Sequence, residues 1–389
     1  MDYSYNIWYF ALAALVLTWI TFRPAFKLAQ RFHIVDQPNK RKLQDHPIPA
    51  FGGAAVAVGV FIPLIYAAFH FSSPQIWYQL VVMAVLLLIG IADDIYDVPA
   101  WFRLMVEIFL IWFFLWGTHA IIEDLHGLFG RDDLISVYTG LPLSILAGLG
   151  IINAINLIDG VDGYSSGYGI VANTLFAVIF YMVGDGISAL FSAVAVAALI
   201  PFYFHNVFGE KSKMYIGDGG SLLIGMIMVC DVFALLTHDA PSQLLEQNGV
   251  GVVALALAIL CIPVFDTLRV MFARILKRQS PLQPDKTHLH HRFIALGFSH
   301  VGTSISILIM NLIVVALWYL SYRLGASIDL QFWIVVMLGI LSTAGFYYGT
   351  LYGEKHHTKI YAFLCRIGQR TQVQQKGFWK GMQKLIDTI

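Results

Sequence analysis

The chain is 389 residues long, 58% apolar or aromatic and only 12% charged, against roughly 45–50% and about 25% in an average soluble domain. Its 24 Lys and Arg balance its 24 Asp and Glu, so a general electrostatic attraction to nucleic acid has no support. The three scattered cysteines, Cys230, Cys261 and Cys365, exclude a disulfide framework or a cysteine–zinc cluster, and most of the mass is expected in lipid.

A membrane span needs about 20 mostly apolar residues. Taken in chain order, apolar runs, breakers and charges predict eleven helices, at about 6–28, 51–70, 76–92, 100–120, 140–157, 164–183, 187–206, 219–237, 249–273, 301–322 and 330–350. The first leads straight into a basic segment and reads as a retained helix rather than a removable leader. The fold class is therefore an all-α polytopic membrane protein, with a transmembrane body over 1–350 and a basic tail over 351–389. On this layout only Arg131 and Arg323 fall on one side, which makes the other side cytoplasmic by the positive-inside rule. The N-terminus is then outside and the C-terminus inside.

The acids divide along the same line. Glu123, Asp124, Asp132, Asp133, Asp185, Asp239, Glu246 and Asp329 fall in short outer loops and read as solvated decoration. Asp93, Asp94, Asp97, Asp159, Asp162, Asp218 and Asp266 fall at the cytoplasmic ends of different helices, many beside glycine, which points to a site on that surface.

The segment IADDIYDVPAWFRLMVE sets Asp93, Asp94 and Asp97 at the end of one span and Arg103 and Glu107 at the start of the next. Adjacent carboxylates repel unless a proton or cation relieves them, so a metal or phosphate cluster is favoured over a merely solvated loop. In GLGIINAINLIDGVDG, Asn153, Asn156, Asp159 and Asp162 recur every third residue, a slowly drifting stripe if the helix continues. Amides inside an apolar segment are expensive without partners, and Gly160 and Gly163 permit close backbone approach to a phosphate. Helix packing is the competing reading there. MYIGDGGSLLIG places Asp218 in a glycine turn opening a helix, where exposed amides favour anions and a carboxylate brings a divalent cation; a plain helix cap explains it equally well. RILKRQSPLQPDKTHLHHR is a basic loop with His288, His290 and His291, for which adventitious zinc ligation or a charged cap remain the alternatives.

In that order DDIYD, NAINLIDGVDG, IGDGGS, VFDTLRV and PDKTHLHHR resemble the signatures of the polyprenyl-phosphate N-acetylhexosamine-1-phosphate transferases, from about Val35 to Phe293. The first cytoplasmic loop, VDQPNKRKLQDHPIPAFGG, is also similar, with Gln44 and Ala50 where relatives often carry a histidine and an arginine. The HLHH form and the third acid of DDIYD are closest to the branch using UDP-GlcNAc or a related UDP-HexNAc. The phospho-MurNAc-pentapeptide translocase branch, the alternative, usually has a lysine in place of Asp97.

The resemblance implies that a polyprenyl phosphate attacks the sugar-linked phosphorus of a UDP-HexNAc, releasing UMP and a lipid-diphospho-sugar at the cytoplasmic face of the inner membrane. It implies Mg²⁺, or Mn²⁺, held by Asp218 with Asp93 or Asp94. Asp93, Asp94, Asp159 and Asp162 are the implied catalytic acids. Lys42, Asp97, Arg103, Asn153, Asn156, Asp266, Arg269, His288, His290, His291 and Arg292 are the implied substrate-binding set. Direct attack is favoured over a phospho-aspartyl intermediate, because a phosphate mono-ester is already a competent nucleophile.

Two other classes compete. A secondary transporter would place its acids near the midplane, where only Asp231 stands. A CDP-alcohol phosphatidyltransferase would need a DG-x-x-A-R run, which follows neither Asp159 nor Asp162. Partners are the lipid phosphate, the nucleotide sugar and the bilayer, with no nucleic acid; a homodimer stays open. In the tail, Phe378, Met382, Leu385, Ile386 and Ile389 line one helical face among seven basic residues, which fits the anionic inner leaflet.

Overall fold

The computed structural model describes residues 4–36, 47–130, 134–237, 240–280, 286–372 and 377–388. Lys42, Gln44, Arg131, Asp132, Asp133, Asp239 and Ile389 lie outside them. Helices account for almost all of the structure: α1 (Ser4–Arg31), α2 (Gly52–His70), α3 (Pro74–Tyr96), α4 (Ala100–Thr118), α5 (Val137–Leu157), α6 (Tyr164–Val183), α7 (Gly186–Phe208) and α8 (Gly217–Leu236). There follow α9 (Ala240–Gln247), α10 (Val252–Ile259), α11 (Cys261–Leu276), α12 (Leu289–Ala295), α13 (His300–Arg323), α14 (Ile328–Ile340), α15 (Phe346–Lys355), α16 (Lys359–Arg370) and α17 (Phe378–Thr388). Ten helical stretches among the described residues are long and apolar enough to cross a membrane, α14 and α15 forming one of them over Ile328–Lys355, or eleven if the bent pair α9 and α10 is one span.

The centre of the bundle is α8, buried along almost its whole length between α2, α3, α5 and α6. It is apolar all round, as a helix without a solvent or lipid face should be. Small residues bring its neighbours in. A Cβ on Gly90 of α3 would lie 2.4 Å from the Gly219 Cα, and one on Gly53 of α2 would lie 2.4 Å from the Gly220 Cα. Only bare backbones fit at those crossings, and they set the start of α8 against the end of α3. Among the described residues the one sheet is a two-residue ladder, Val35–Asp36 with Ile48–Pro49. It continues into a bridge from Ala50 to Tyr215, which ties the loop before α2 to the loop before α8.

Two expectations change. The span expected at 249–273 is broken at Leu260 into α10 and α11. Pro263 has no N–H for the Ile259 carbonyl, which accepts instead from the Tyr168 hydroxyl and from Asn311 Nδ2 at 2.9 Å. Asn311 Oδ1 accepts from Ile262 N at 3.0 Å. A side chain of α13 thus satisfies the backbone that the break exposes, as a lipid setting requires. The outer acids are also not uniformly solvated, since Asp124 is 5% exposed beside a fully buried His126. The turn folds inward because the Asp124 carboxylate accepts from His126 N at 2.7 Å.

The tail packs against the bundle through both of its helices. Ile386 of α17 is buried and Trp379 meets Phe208 at the end of α7. Ser299, ahead of α13, bonds Thr371 after α16.

Candidate active site

Asp218 sits in the first turn of α8, after Gly217 turns the chain with φ +75°. Its Oδ1 accepts from Asn156 Nδ2 at 2.9 Å, and the same amide nitrogen reaches Ser221 Oγ at 2.8 Å. Asp94, at the end of α3, turns its carboxylate onto the open end of α8: Oδ1 accepts from Asp218 N at 3.0 Å and Oδ2 from Gly219 N at 3.4 Å. Unpaired amides and the helix dipole both favour a negative group there. Two acids from different helices are thereby brought side by side.

The loop between α5 and α6 supplies two more. The stripe expected from three-residue spacing ends with the helix at Leu157, and Asp159 and Asp162 stand in a turn that Gly163 closes at φ +72°. Asp159 accepts from the Ser165 hydroxyl. Burial pushes its carboxyl up to about 7, with Asp218 and Asp162 adding to the effect and the Ser165 bond opposing it. Asp162 is held differently. Burial raises it, but His300 at 3.2 Å and Lys213 at 2.7 Å outweigh that and keep its carboxyl below the ordinary range. Asn206 braces the turn, accepting from Gly163 N at 2.6 Å and donating to Met214 O at 3.0 Å.

Asp93 and Asp97 face elsewhere. Asp93 accepts from Arg103 Nη1 at 2.9 Å and from Val98 N at 2.8 Å, so it fastens α3 to α4. Arg103 Nε lies 3.5 Å from Glu107, and Glu107 accepts from Asn153 Nδ2 at 2.7 Å. Asn153 is therefore linked to the acidic segment through two side chains. Asp97 is exposed, in the left-handed conformation at φ 50° that ends α3.

The histidine loop is anchored from beneath. Asp266 accepts from Arg269 Nη2 at 2.6 Å, His288 Nδ1 at 3.0 Å and Leu289 N at 3.0 Å. Arg269 also donates to Thr287 O at 2.6 Å and lies over the Tyr347 ring. That closed set fixes the His288 ring, stacked 4° from parallel with His290 at 5.9 Å. The His288 Nε2 and His290 Nδ1 atoms are buried with no partner. His290 presses on the aspartate turn, where a Cβ on Gly160 would come within 2.7 Å of its Nε2. Burial, and then His291 and His288, hold the His290 imidazole well below its usual range, so it is neutral near pH 7. The His291 ring lies 4.2 Å from that of His290. Arg292 turns away, to Glu354 at 2.6 Å and to the hydroxyl and carbonyl of Thr350. These contacts hold α12 on α15.

The structure brings Asp94, Asn156, Asp159, Asp162 and Asp218 to one end of the bundle and lays His290 against them. Lys213, Asn206 and His300 join the same site and were not singled out from the sequence. Lys213 stands five residues before Asp218, a signal within reach; His300 lies 138 positions from Asp162, and only folding pairs them.

The acids do not form a three-ligand cage, since among the described residues no three of them converge within 4.8 Å. They still fit Mg²⁺. That ion takes one or two carboxylates, keeps several waters and completes its shell with substrate phosphates, and Asp218 and Asp94 supply hard oxygens beside an anion-favouring helix start.

A family model described as glycosyl transferase family 4 matches residues 76–237, the stretch that carries Asp93 through Asp218. A Bacillus subtilis (strain 168) protein named "probable undecaprenyl-phosphate N-acetylglucosaminyl 1-phosphate transferase" is 29% identical, over 85% of this chain and 88% of its own. Proteins named undecaprenyl-phosphate alpha-N-acetylglucosaminyl 1-phosphate transferase are 26% identical in Escherichia coli (strain K12), over 91% of this chain and 92% of the relative, and 27% identical in Yersinia pestis, over 90% and 92%.

Proposed function

From a chain whose residues 76–237 match the glycosyl transferase family 4 model, we propose the transfer of GlcNAc-1-phosphate from UDP-GlcNAc to undecaprenyl phosphate at the cytoplasmic face of the cell membrane. One oxygen of the lipid phosphate forms a bond to the sugar-linked phosphorus. The bond from that phosphorus to the UMP oxygen breaks, so the products are UMP and undecaprenyl-diphospho-GlcNAc. The observation that carries the reading is the meeting of Asp94 and Asp218 at the start of α8, with Asn156, Asp159 and Asp162 around them.

Asp218 and Asp94 would hold Mg²⁺, which supplies charge neutralisation for a pyrophosphate. Around it, the protein's own groups divide the work. Asn156 orients the Asp218 carboxylate. Asp159 holds or releases a proton near neutral pH, which suits it to accept the last proton of a phosphate mono-ester. Lys213 gives the Asp162 turn its positive side and His300 lies against the same carboxylate, and the unpartnered nitrogens of His288 and His290 are set to meet the sugar or its phosphate. The lipid chain lies along the apolar bundle, and direct attack needs no covalent intermediate.

The test is the purified protein with undecaprenyl phosphate, Mg²⁺ and UDP-GlcNAc, UDP-GalNAc or UDP-MurNAc-pentapeptide in parallel. UMP release and a chloroform-soluble labelled lipid are expected with UDP-GlcNAc and stop with EDTA. No UMP from any of the three sinks the proposal, and release from the pentapeptide substrate alone transfers it to peptidoglycan synthesis.

A further inference from the structure

At the end of α8 remote from Asp218, about 30 Å away at 1.5 Å per residue, lies a second polar group that the transfer reaction does not use. His126 is fully buried in the loop after α4. Its Nε2 lies 3.1 Å from the Leu236 carbonyl oxygen at the end of α8. A carbonyl only accepts, so this nitrogen carries the ring proton and, in a neutral ring, Nδ1 presents a lone pair. Two carboxylates face that lone pair, Glu246 Oε2 at 3.4 Å and Asp124 Oδ2 at 3.8 Å.

Those separations are long for charge-assisted hydrogen bonds, which close to about 2.7–2.9 Å. Two ligands about 2.0–2.1 Å from a zinc ion, at the tetrahedral angle, stand about 3.3–3.4 Å apart; the Glu246 separation has that value, and Asp124 at 3.8 Å would close by a few tenths of an ångström on an ion. Ligand atoms of Asp124, His126 and Glu246 all lie within 4.8 Å of one another. The Leu236 carbonyl is the kind of outer partner that fixes the tautomer and orientation of a metal-binding imidazole. Glu246, with a side chain 29% exposed, brings one edge of the group to the surface.

We propose that Asp124, His126 and Glu246 form a zinc-class divalent metal site. One imidazole with two carboxylates suits Zn²⁺, whereas Mg²⁺ prefers oxygen ligands alone. The site joins the loop after α4 to the end of α8 and the α9 that follows it, two stretches of chain more than a hundred residues apart. It acts as a staple for the end of the bundle opposite the acidic cluster.

The experiment uses the full-length protein in detergent, stripped with chelator and then given Zn²⁺ in excess Mg²⁺, so that carboxylates preferring magnesium are occupied. After desalting, metal analysis should find about one zinc per chain, with a raised midpoint of thermal unfolding. His126→Ala should retain almost none. Glu246→Gln keeps the volume of a partly exposed side chain and should weaken zinc by about tenfold or more, the cost of losing even an outer partner. Asp218→Asn should bind zinc as the parent does, which places the ion away from the proposed reaction. The proposal is overturned if the stripped parent retains no zinc, or if His126→Ala and Glu246→Gln both retain as much as the parent. It is equally overturned if either variant lowers the unfolding midpoint by the same amount with and without zinc, since the side chains then hold these segments together without an ion.

Discussion

The two best-separated roles belong to Asp218 and His290. Asp218→Asn keeps the size and the α8 turn but removes the charge, so UMP release should fall by about a hundredfold or more, as when a transition-state charge partner is lost, with yield and helicity unchanged. His290→Ala should leave the Mg²⁺ requirement alone and raise KM for the nucleotide sugar. UMP release measured across Mg²⁺ concentrations separates the two, and the assignment fails if His290→Ala is the variant that shifts the metal requirement. Asp159 makes a different prediction, in stability. Its carboxyl is raised to about 7 in the fold, above the unfolded value of about 3.9. The folded state therefore binds the proton more tightly. The resulting stabilisation is complete below about pH 4 and is lost as pH rises through about 7. The unfolding midpoint of metal-free protein should fall from pH 5 to pH 8, and Asp159→Asn should flatten that slope. Asp162 does not mask the effect. Its carboxyl is lowered, so its contribution fades only as the medium becomes more acidic than the ordinary carboxylate range.

Among the helices, the junction of α10 and α11 depends on a group from outside it. Asn311→Leu leaves the Ile262 N–H without its acceptor and removes one of the two donors to the Ile259 carbonyl, which should cost about 1–3 kcal/mol for the orphaned group. Thermal unfolding in detergent checks it, and an unchanged midpoint would mean that the break is satisfied some other way. This junction also marks how far the sequence could be read. The spans were legible because apolar runs of the right length are hard to place anywhere but lipid. The break was not, because ALAILCIPVF stays apolar across it and Pro263 gives only a local hint, while the compensating amide comes from α13. The acids were legible by their glycines and their position at helix ends. Their division of labour was not: Asp93 and Asp94 are neighbours in sequence, yet one locks α3 to α4 and the other caps α8. Asp124 misled for the converse reason, since a charge in a short loop reads as solvated until its neighbours are known.

For the molecule as a whole, orientation is the first thing to measure. Cysteines introduced at Ser136 and Ser327 should react with an impermeant reagent in whole cells, and cysteines at Lys277 and Gln369 should not. The opposite pattern would put the acidic cluster on the side where nucleotide sugars are not made. Beyond orientation, the tail has a part in the order of events. The Asp387 carboxylate accepts from the backbone amides of Glu210, Lys211 and Ser212 and from the Ser212 hydroxyl at 2.9 Å, and the next residue, Lys213, holds Asp162. Ser212 and Asp387 are 175 positions apart, and a ribosome making about 5–20 residues per second needs roughly 10–35 s to cover that distance. In that interval the spans already made have time to enter the bilayer and pack and the later ones are added, while the segment beside the Asp162 turn waits for its clasp. The nascent chain thus becomes a membrane protein first and receives this support for its aspartate turn last.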